Sequence, residues 1–139
     1  MLRLTGNYTY TSTKQHGGPN DGWPLNDTPR HQLNTKLAWQ NSDRLDTWVR
    51  GEYRSDRYRR TTPTPNDIYK AFGDYKAYTI FHLGANYQLD ENISLSAAIY
   101  NLFDKDFMSY KEYKTGLYAN EYSNNQERRR LWMSATYQF

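Results

Sequence analysis

Arginine and tyrosine are concentrated in one segment of the chain, Arg54-Ser55-Asp56-Arg57-Tyr58-Arg59-Arg60. Guanidinium groups supply positive charge and hydrogen-bond donors, and a phenol supplies a ring on which a planar ligand can stack. Arg57, Tyr58, Arg59 and Arg60 are therefore candidate contacts for an anionic ligand that carries aromatic groups. The alternative is a solvated cationic loop that attracts the phosphates of a membrane surface without selecting a ligand.

A second segment near the end of the chain has the same character. Its rings and cations are Tyr110, Lys111, Tyr113, Lys114, Tyr118 and Tyr122, followed by Arg128, Arg129 and Arg130. Tyr110 and Tyr113 are the candidate ligand contacts of this segment. Packing within a long loop would explain the same residues equally well, so both interpretations stay open.

The residues that catalysis or metal binding would require do not form a pattern. The chain has no Cys, and His16, His31 and His82 lack the spacing of metal ligands. The sequence contains no G-x-S-x-G, no H-E-x-x-H and no phosphate-binding glycine loop. It therefore predicts no catalytic residues, no metal site and no resident cofactor, and the protein is not expected to be an enzyme.

Charge alone does not identify a partner. Eighteen Lys and Arg against 15 Asp and Glu give a net charge of +3, which is a mild excess. Basic runs at residues 57–60 and 128–130 lie near aromatic residues, as in nucleic-acid-binding proteins. Such proteins expose their rings on a basic surface, whereas here the rings fall on the least charged face described below. We therefore expect no nucleic-acid partner.

The composition indicates how these segments are supported. The chain has 139 residues, which is enough for one domain. A mean hydropathy of −1.07 leaves no apolar run long enough for a transmembrane helix. Aromatic residues make up 17% of the chain, and rings favour pleated surfaces. These features predict an all-β protein without disulfides.

Side chains of alternating polarity mark six strands. The predicted strands are Leu2 to Tyr10, His31 to Trp39, Leu45 to Tyr53, Tyr75 to Tyr87, Ile93 to Ile99 and Leu131 to Phe139. Short turns at residues 41–44 and 90–92 join two pairs of strands, which indicates hairpins. Residues 11–30, 54–74 and 104–130 form long linkers with no periodicity of their own. The prediction is an antiparallel, up-and-down sheet with short turns at its lower edge and long loops at its upper edge.

The more apolar face of this sheet carries two rows of rings with aliphatic residues between them. The upper row is Tyr8, Tyr10, Tyr53, Tyr75 and Phe103, and the lower row is Trp39, Tyr87, Tyr137 and Phe139. Two aromatic girdles about 25 Å apart are typical of a transmembrane β-barrel. The opposite face carries polar and charged residues, among them Lys36, Arg50, Glu52 and His82. That face is expected to border water.

Six strands do not close a barrel around a lumen, since single-chain bacterial barrels begin at about eight strands. An open sheet leaves two unpaired edges, which are costly in lipid. We therefore expect an open segment of a transmembrane β-barrel, with the remainder preceding Met1.

Two segments resemble one family. Ile99-Tyr100-Asn101-Leu102-Phe103-Asp104-Lys105 resembles the NLFDK motif near the end of TonB-dependent outer-membrane receptors, and residues 131–139 resemble their final strand. Pro29-Arg30-His31 and Arg50-Gly51-Glu52-Tyr53-Arg54-Ser55 are similar to the ferric-catecholate and colicin receptor branch. The resemblance extends over the whole chain.

The resemblance implies a role for residues 1–139 as the C-terminal segment of a receptor barrel in the bacterial outer membrane. It implies transport of a ferric siderophore, with the catecholate type favoured and iron present only inside the bound siderophore. Haem, cobalamin and other siderophores stay open as substrates within this family. The plug domain, the N-terminal strands and the region that contacts TonB would lie outside this chain. Implied partners are lipid, lipopolysaccharide, the rest of the barrel and the barrel assembly machinery, for which Phe139 and Tyr137 would form the signal. The alternative function is a soluble β-sheet module that binds carbohydrate or nucleic acid through its Tyr- and Arg-rich loops.

Overall fold

A computed structural model describes residues 1–59, 64–121 and 127–139. The elements, in chain order, are β1 (Leu2–Tyr10), β2 (His31–Gln40), β3 (Leu45–Arg54), α1 (Asp67–Phe72), β4 (Tyr78–Gln88), β5 (Ile93–Tyr100), β6 (Met108–Tyr113), β7 (Gly116–Glu121) and β8 (Arg130–Tyr137). No helix in these ranges is long and apolar enough to cross a membrane. Residues 11–30, 55–77 and 101–129 are called the first, second and third loops below.

Six strands form one antiparallel sheet in the order β1-β2-β3-β4-β5-β8. This confirms the all-β class and the up-and-down arrangement, in which each strand pairs with the next strand of the sheet. The register places Leu37 opposite Val49 and Val49 opposite Leu83, so the apolar side chains of neighbouring strands share one face. We call this the apolar face and the other side the polar face.

The apolar face is uncovered within the described chain. Leu33, Val49 and Leu83 in the sheet interior are 39%, 40% and 37% exposed, and Met133 on β8 is 82% exposed. A soluble sandwich would bury these side chains under a second layer. Their exposure agrees with the prediction that this face contacts something other than the chain itself.

On the polar face, Trp48 and Gly84 fit together. They are register partners on β3 and β4, and a Cβ atom at position 84 would overlap the indole ring of Trp48. The absence of a side chain at Gly84 therefore leaves room for the indole of Trp48 against the neighbouring strand. Lys36 on β2 places its ammonium group 5.3 Å from the centre of the same ring.

Two predictions about the strands need correction. The sequence predicts a fourth strand that starts at Tyr75, but β4 begins at Tyr78. Tyr75 instead exchanges two backbone hydrogen bonds of 3.0 Å with Arg57 inside the second loop. The sequence predicts a last strand that continues to Phe139, whereas β8 ends at Tyr137.

The long loops show no periodicity in the sequence, yet they contain short regular elements. The second loop contains α1, which begins after Asn66, whose side chain accepts a hydrogen bond of 2.8 Å from the Tyr69 N–H. Gly73 ends the helix at a positive φ of 68°. The third loop contains the β6–β7 hairpin, whose turn includes Lys114 at a φ of 54°.

The buried apolar core is small and lies at the upper end of the polar face. Tyr78 and Ile80 on β4 and Phe107 in the third loop are 5–7% exposed. The rings of Tyr78 and Phe107 meet edge to face, with centroids 5.0 Å apart. The third loop therefore folds back over this end of the sheet.

Candidate ligand-binding loops

The Arg57 side chain is buried between the first two loops. Its guanidinium pairs with the carboxylate of Asp27 and lies 5.0 Å and 5.7 Å from the ring centres of Tyr75 and Tyr78. The residue is only 3% exposed. A buried guanidinium already paired with a carboxylate is poorly placed to capture an incoming anion. The geometry thus favours loop packing over ligand contact for Arg57.

Tyr58 contacts the first loop, and Arg59 contacts its own loop, the second. The Tyr58 carbonyl accepts a hydrogen bond of 2.8 Å from the Asp27 N–H, and its ring meets Trp23 edge to face at 6.1 Å. The Arg59 guanidinium lies 3.9 Å from the centre of the Tyr75 ring. Both side chains are partly exposed. Arg60 lies outside the described residues.

A cavity of about 330 Å³ separates the first and second loops. Its walls combine hydroxyl groups with charged groups of both signs: Thr11, Thr13, Thr28, Ser55, Arg30, Arg57, Asp56 and Asp74. Such a lining suits a polar ligand with many hydrogen-bonding groups. Sequence reasoning missed the first loop as part of the site because Asp27, which positions Arg57, is 30 residues away in the chain.

The second and third loops meet through α1 and the β6–β7 hairpin. Lys111 Nζ donates a hydrogen bond of 2.8 Å to the Ala71 carbonyl, and Lys114 Nζ lies 3.0 Å from Asp67 Oδ1. The hydroxyl of Tyr118 donates to Asp67 Oδ2 at 3.4 Å. The hydrogen bond that Lys114 donates to Asp67 lowers the pKa of the Asp67 carboxyl group and raises the pKa of the Lys114 ammonium group. Lys111 and Lys114 thus hold the second and third loops together.

The hairpin separates the two predicted tyrosine contacts. Tyr110 lies opposite Ala119, and Lys111, which reaches α1, lies opposite Tyr118. Because side chains alternate along a strand, Tyr110 occupies the face opposite to α1, and Tyr113 shares the face of Lys111. Tyr110 is 65% exposed. Among the described candidate residues, Tyr110 is the aromatic group most accessible to a ligand.

The two ends of the third loop are joined by an ion-pair cluster. Arg128 binds both carboxylate oxygens of Asp104, at 2.9 Å and 2.7 Å, and also Asp106 at 2.7 Å. The Arg129 N–H donates to Asp104 Oδ1 at 2.9 Å. The hydrogen bonds from Arg128 and Arg129 hold the pKa of Asp104 well below its usual value. This cluster is consistent with the loop-packing interpretation of the basic run at residues 128–130.

On the polar face of the sheet, basic and aromatic groups lie below the loops. Glu52 Oε1 is 3.1 Å from Arg50 and 3.3 Å from His82 Nε2. The Arg130 guanidinium lies 4.8 Å from the Tyr100 ring centre. These five residues line a concavity of about 310 Å³. The surface can attract an anion and also offers rings for stacking.

The ring rows lie where the sequence places them, with one exception. Tyr8, Tyr10 and Tyr53 are at the upper ends of β1 and β3, and Phe103 packs edge to face on Phe81 at 5.8 Å. Their lower counterparts are at or beyond the opposite strand ends: Trp39, Tyr87, Tyr137 and Phe139. The exception is Tyr75, whose ring contacts Arg57 and Arg59 in the second loop. Contact of the other rings with lipid stays a prediction, as does the assembly role of Tyr137 and Phe139.

Comparison with known proteins identifies this architecture. Residues 1–102 match the family described as TonB dependent receptor-like, beta-barrel. The iron-regulated outer membrane virulence protein of Vibrio cholerae is 36% identical over 112 residues, which cover 81% of this chain and 16% of that protein. The ferric enterobactin receptor of Pseudomonas aeruginosa is 34% identical over 113 residues, covering 75% of this chain and 14% of that protein.

Solved structures agree with the sequence comparison. A mutant of the ferric enterobactin receptor of Pseudomonas aeruginosa, in complex with enterobactin, superposes with a TM-score of 0.71 at 26% identity. The superposition covers 99% of this chain and 20% of the receptor. The chain thus spans less than a fifth of the length of the curated relatives it matches.

Proposed function

The chain belongs to the TonB-dependent receptor β-barrel family of the bacterial outer membrane. We propose that it contributes to the uptake of a ferric siderophore, and more specifically of one of the catecholate type. The family assignment replaces the alternative of a soluble module for carbohydrate or nucleic acid. In this proposal residues 1–139 are the C-terminal segment of a barrel whose plug and N-terminal strands lie elsewhere.

The observation that carries the proposal is the contrast between the two faces of the sheet. Leu33, Val49 and Leu83 are exposed on one face, whereas Arg50 and Arg130 lie on the other. A barrel wall built in this way faces hydrocarbon on the outside and an aqueous lumen on the inside. A basic lumen wall suits a ferric catecholate because that complex is anionic.

The choice of catecholate is supported by the relatives and by the loops. Two relatives are named ferric enterobactin receptors. Tyr110 in this chain is an exposed ring of the third loop, and the polar face carries Arg50 and Arg130; together they suit a ligand with both negative charge and aromatic groups. Iron would enter only as part of the siderophore, and the segment would hold no resident cofactor and catalyse no reaction.

The segment would act passively. Its loops would bind the ferric complex, and its polar face would guide the complex past a plug that receives energy from TonB. Outer-membrane lipid and lipopolysaccharide would surround the apolar face and the upper ring row. The barrel assembly machinery would recognise the end of the chain, at Tyr137 and Phe139.

The proposal is tested on the complete receptor that contains this segment, reconstituted in lipid. Titration with ferric enterobactin should give saturable binding at micromolar concentration or below, and a ferric hydroxamate of similar size should bind much more weakly. Tyr110→Ala should weaken catecholate binding, while Tyr113→Ala, on the other face of the hairpin, should change it less. Equal affinity for both siderophore types would overturn the catecholate assignment, and an absence of binding to either would overturn siderophore uptake.

The membrane assignment has a separate test. The isolated chain should require detergent or lipid to stay monodisperse. A chain that is monomeric, unfolds cooperatively and is soluble without detergent would contradict an open barrel segment.

A further inference from the structure

Asn101 follows β5 directly and lies where the third loop leaves the sheet. The residue is only 4% exposed. Its Nδ2 donates hydrogen bonds to the carbonyls of Lys105, at 2.9 Å, and Glu127, at 3.1 Å, and its Oδ1 accepts the Lys105 N–H at 2.8 Å. Lys105 belongs to the outgoing arm of the loop and Glu127 to the returning arm. A single amide group therefore joins both arms to the end of β5.

The backbone of Asn101 is bonded to the sheet on the other side. Its N–H donates a hydrogen bond of 3.1 Å to Nδ1 of His82, which is 5% exposed on the polar face of β4. A ring nitrogen that accepts carries no proton, so the neutral ring carries its proton on Nε2. That atom lies 3.3 Å from Glu52 Oε1 on β3. A continuous set of contacts therefore runs from β3 through His82 and Asn101 to the third loop.

We propose that Asn101 and His82 are positioning residues that hold the third loop over the polar face of the sheet. The position of the loop is a property of the structure itself, and its effect on ligand affinity rests on the proposed function. Two further contacts locate the same loop: the Leu102 N–H donates to the Phe81 carbonyl at 2.8 Å, and Phe107 packs on Tyr78.

Asn101 is more deeply buried than Arg128, whose ion pairs also join the two arms of the loop. The Arg128 side chain in the pairs with Asp104 and Asp106 is 58% exposed, so water and salt weaken those pairs. The carbonyls of Lys105 and Glu127 instead meet a buried amide. Removing that amide leaves the two carbonyls without their partner in hydrogen bonds that are part-buried, where solvent competes less than at the exposed Arg128 pairs, so this is the costlier loss. We therefore assign the larger share of loop positioning to Asn101.

The first test is Asn101→Gly in the complete receptor. Asn101 has a positive φ of 51°, and glycine tolerates this conformation and retains the N–H that binds His82. The variant thus removes the side-chain amide and keeps the backbone N–H, and the His82 pair below provides a second test that leaves the backbone of Asn101 unchanged. Because this chain contains no Cys, spin labels can be placed in it through Leu117→Cys on the hairpin and Leu33→Cys on β2.

The distance between the two labels should be narrowly distributed in the otherwise unchanged receptor and clearly broader with Asn101→Gly. If the loop then occupies its binding position about a tenth of the time, affinity for ferric enterobactin falls roughly tenfold. An unchanged distance distribution would overturn the role of Asn101. Heat-dependent migration in detergent gels checks that the barrel itself is folded.

A matched pair at His82 isolates the contact with the sheet. His82→Asn retains an acceptor near the position of Nδ1, whereas His82→Gln retains a donor near Nε2 toward Glu52. The Asn variant should keep the narrow distribution and the Gln variant should broaden it. Equal behaviour, or the reverse order, would overturn the role of His82. This pair also decides the proposal if Asn101→Gly does not reach the membrane.

The label measurement needs no ligand, so it separates this inference from the proposed function. A receptor that binds no ferric enterobactin but whose loop loosens with Asn101→Gly would refute siderophore uptake and leave the positioning role standing. Normal binding with an unaffected loop would refute the positioning role alone.

Discussion

Lys114 Nζ lies 3.0 Å from Asp67 Oδ1, and this ion pair joins the turn of the β6–β7 hairpin to the first turn of α1. The second and third loops are thereby connected to each other as well as to the sheet. The other charged or phenolic groups that face Asp67 are Lys70, at 4.0 Å, and Tyr118. All three neighbours favour the ionised carboxylate.

The first prediction is that protonation of Asp67 at acidic pH weakens the docking of the β6–β7 hairpin on α1. The pKa of Asp67 is lowered from 3.8, mainly by the Lys114 hydrogen bond. The contribution of Asp67 is therefore complete above its ordinary pKa and is lost as the pH falls through the lowered one. At low pH, hydrogen exchange of the β6 and β7 amides should become faster relative to that of the β2 amides.

Asp67→Asn is the control for that measurement. It should loosen the hairpin at neutral pH and remove the acid-dependent step. Added salt should also weaken docking, because the Lys114 and Asp67 side chains are 57% and 35% exposed. An acid-dependent step of unchanged size in Asp67→Asn would contradict the assignment.

The second prediction concerns the buried pair of Arg57 and Asp27. Their side chains are 2% and 26% exposed, so removing Asp27 takes a carboxylate from a buried guanidinium, whereas removing Arg57 leaves a carboxylate that water reaches in part. Loss of either partner should loosen the packing of the first loop on the second, at a cost of at most about 3–5 kcal/mol. Limited proteolysis of the first loop in Arg57→Met and Asp27→Asn would measure this effect.

The same two variants test which role Arg57 has. If Arg57 acts through loop packing, both variants should weaken ferric enterobactin binding to a similar degree. If its guanidinium contacts the ligand, Arg57→Met should weaken binding strongly, while Asp27→Asn should leave it almost unchanged. The latter result would restore the ligand-contact interpretation.

The alternation of side chains was sufficient to predict the main sheet. Each strand of a barrel wall has one face toward each environment, and this two-residue period appears directly in the chain. The bounds of β1 were predicted without error because polarity alternates from Leu2 through Tyr10. Short elements inside the loops were missed because their signals are single residues, such as Asn66 before α1 and Lys114 in the hairpin turn.

The candidate site was harder to predict because its contacts join distant parts of the chain. A cluster of arginines in the sequence indicates charge but not whether that charge is already neutralised. Arg57 meets Asp27 from another loop, and Lys111 meets a backbone carbonyl at Ala71. Neither partner has a sequence pattern that distinguishes it from a solvated loop residue. Loop packing in three dimensions therefore decides which cations remain accessible.

The third prediction concerns the fit between Gly84 and Trp48. Gly84→Ala should destabilise the barrel by about 1–3 kcal/mol, because the added methyl overlaps the indole and forces β3 or β4 to shift. Urea unfolding in lipid vesicles would measure the change in the free energy of unfolding.

Gly6→Ala is the matched control, since a Cβ atom there would make ordinary contacts of 3.4 Å and 3.5 Å. It should change stability much less. Combining Gly84→Ala with Trp48→Leu should recover part of the loss by removing the ring. A Gly84→Ala variant as stable as the unchanged protein would mean that Trp48 can leave this position at little cost.

The fourth prediction uses two neighbouring residues on opposite faces of β8. Met133 is on the apolar face and is 82% exposed, and Ser134 is on the polar face opposite Ser96. Met133→Arg places a charge in hydrocarbon and should destabilise the folded receptor by roughly 2–4 kcal/mol near the middle of the membrane. Ser134→Arg extends into the aqueous lumen and should have a much smaller effect.

Because the two positions share one strand, differences in strand propensity and edge pairing largely cancel. Equal losses in urea unfolding would mean that the two faces see the same environment, which a membrane-spanning wall does not allow.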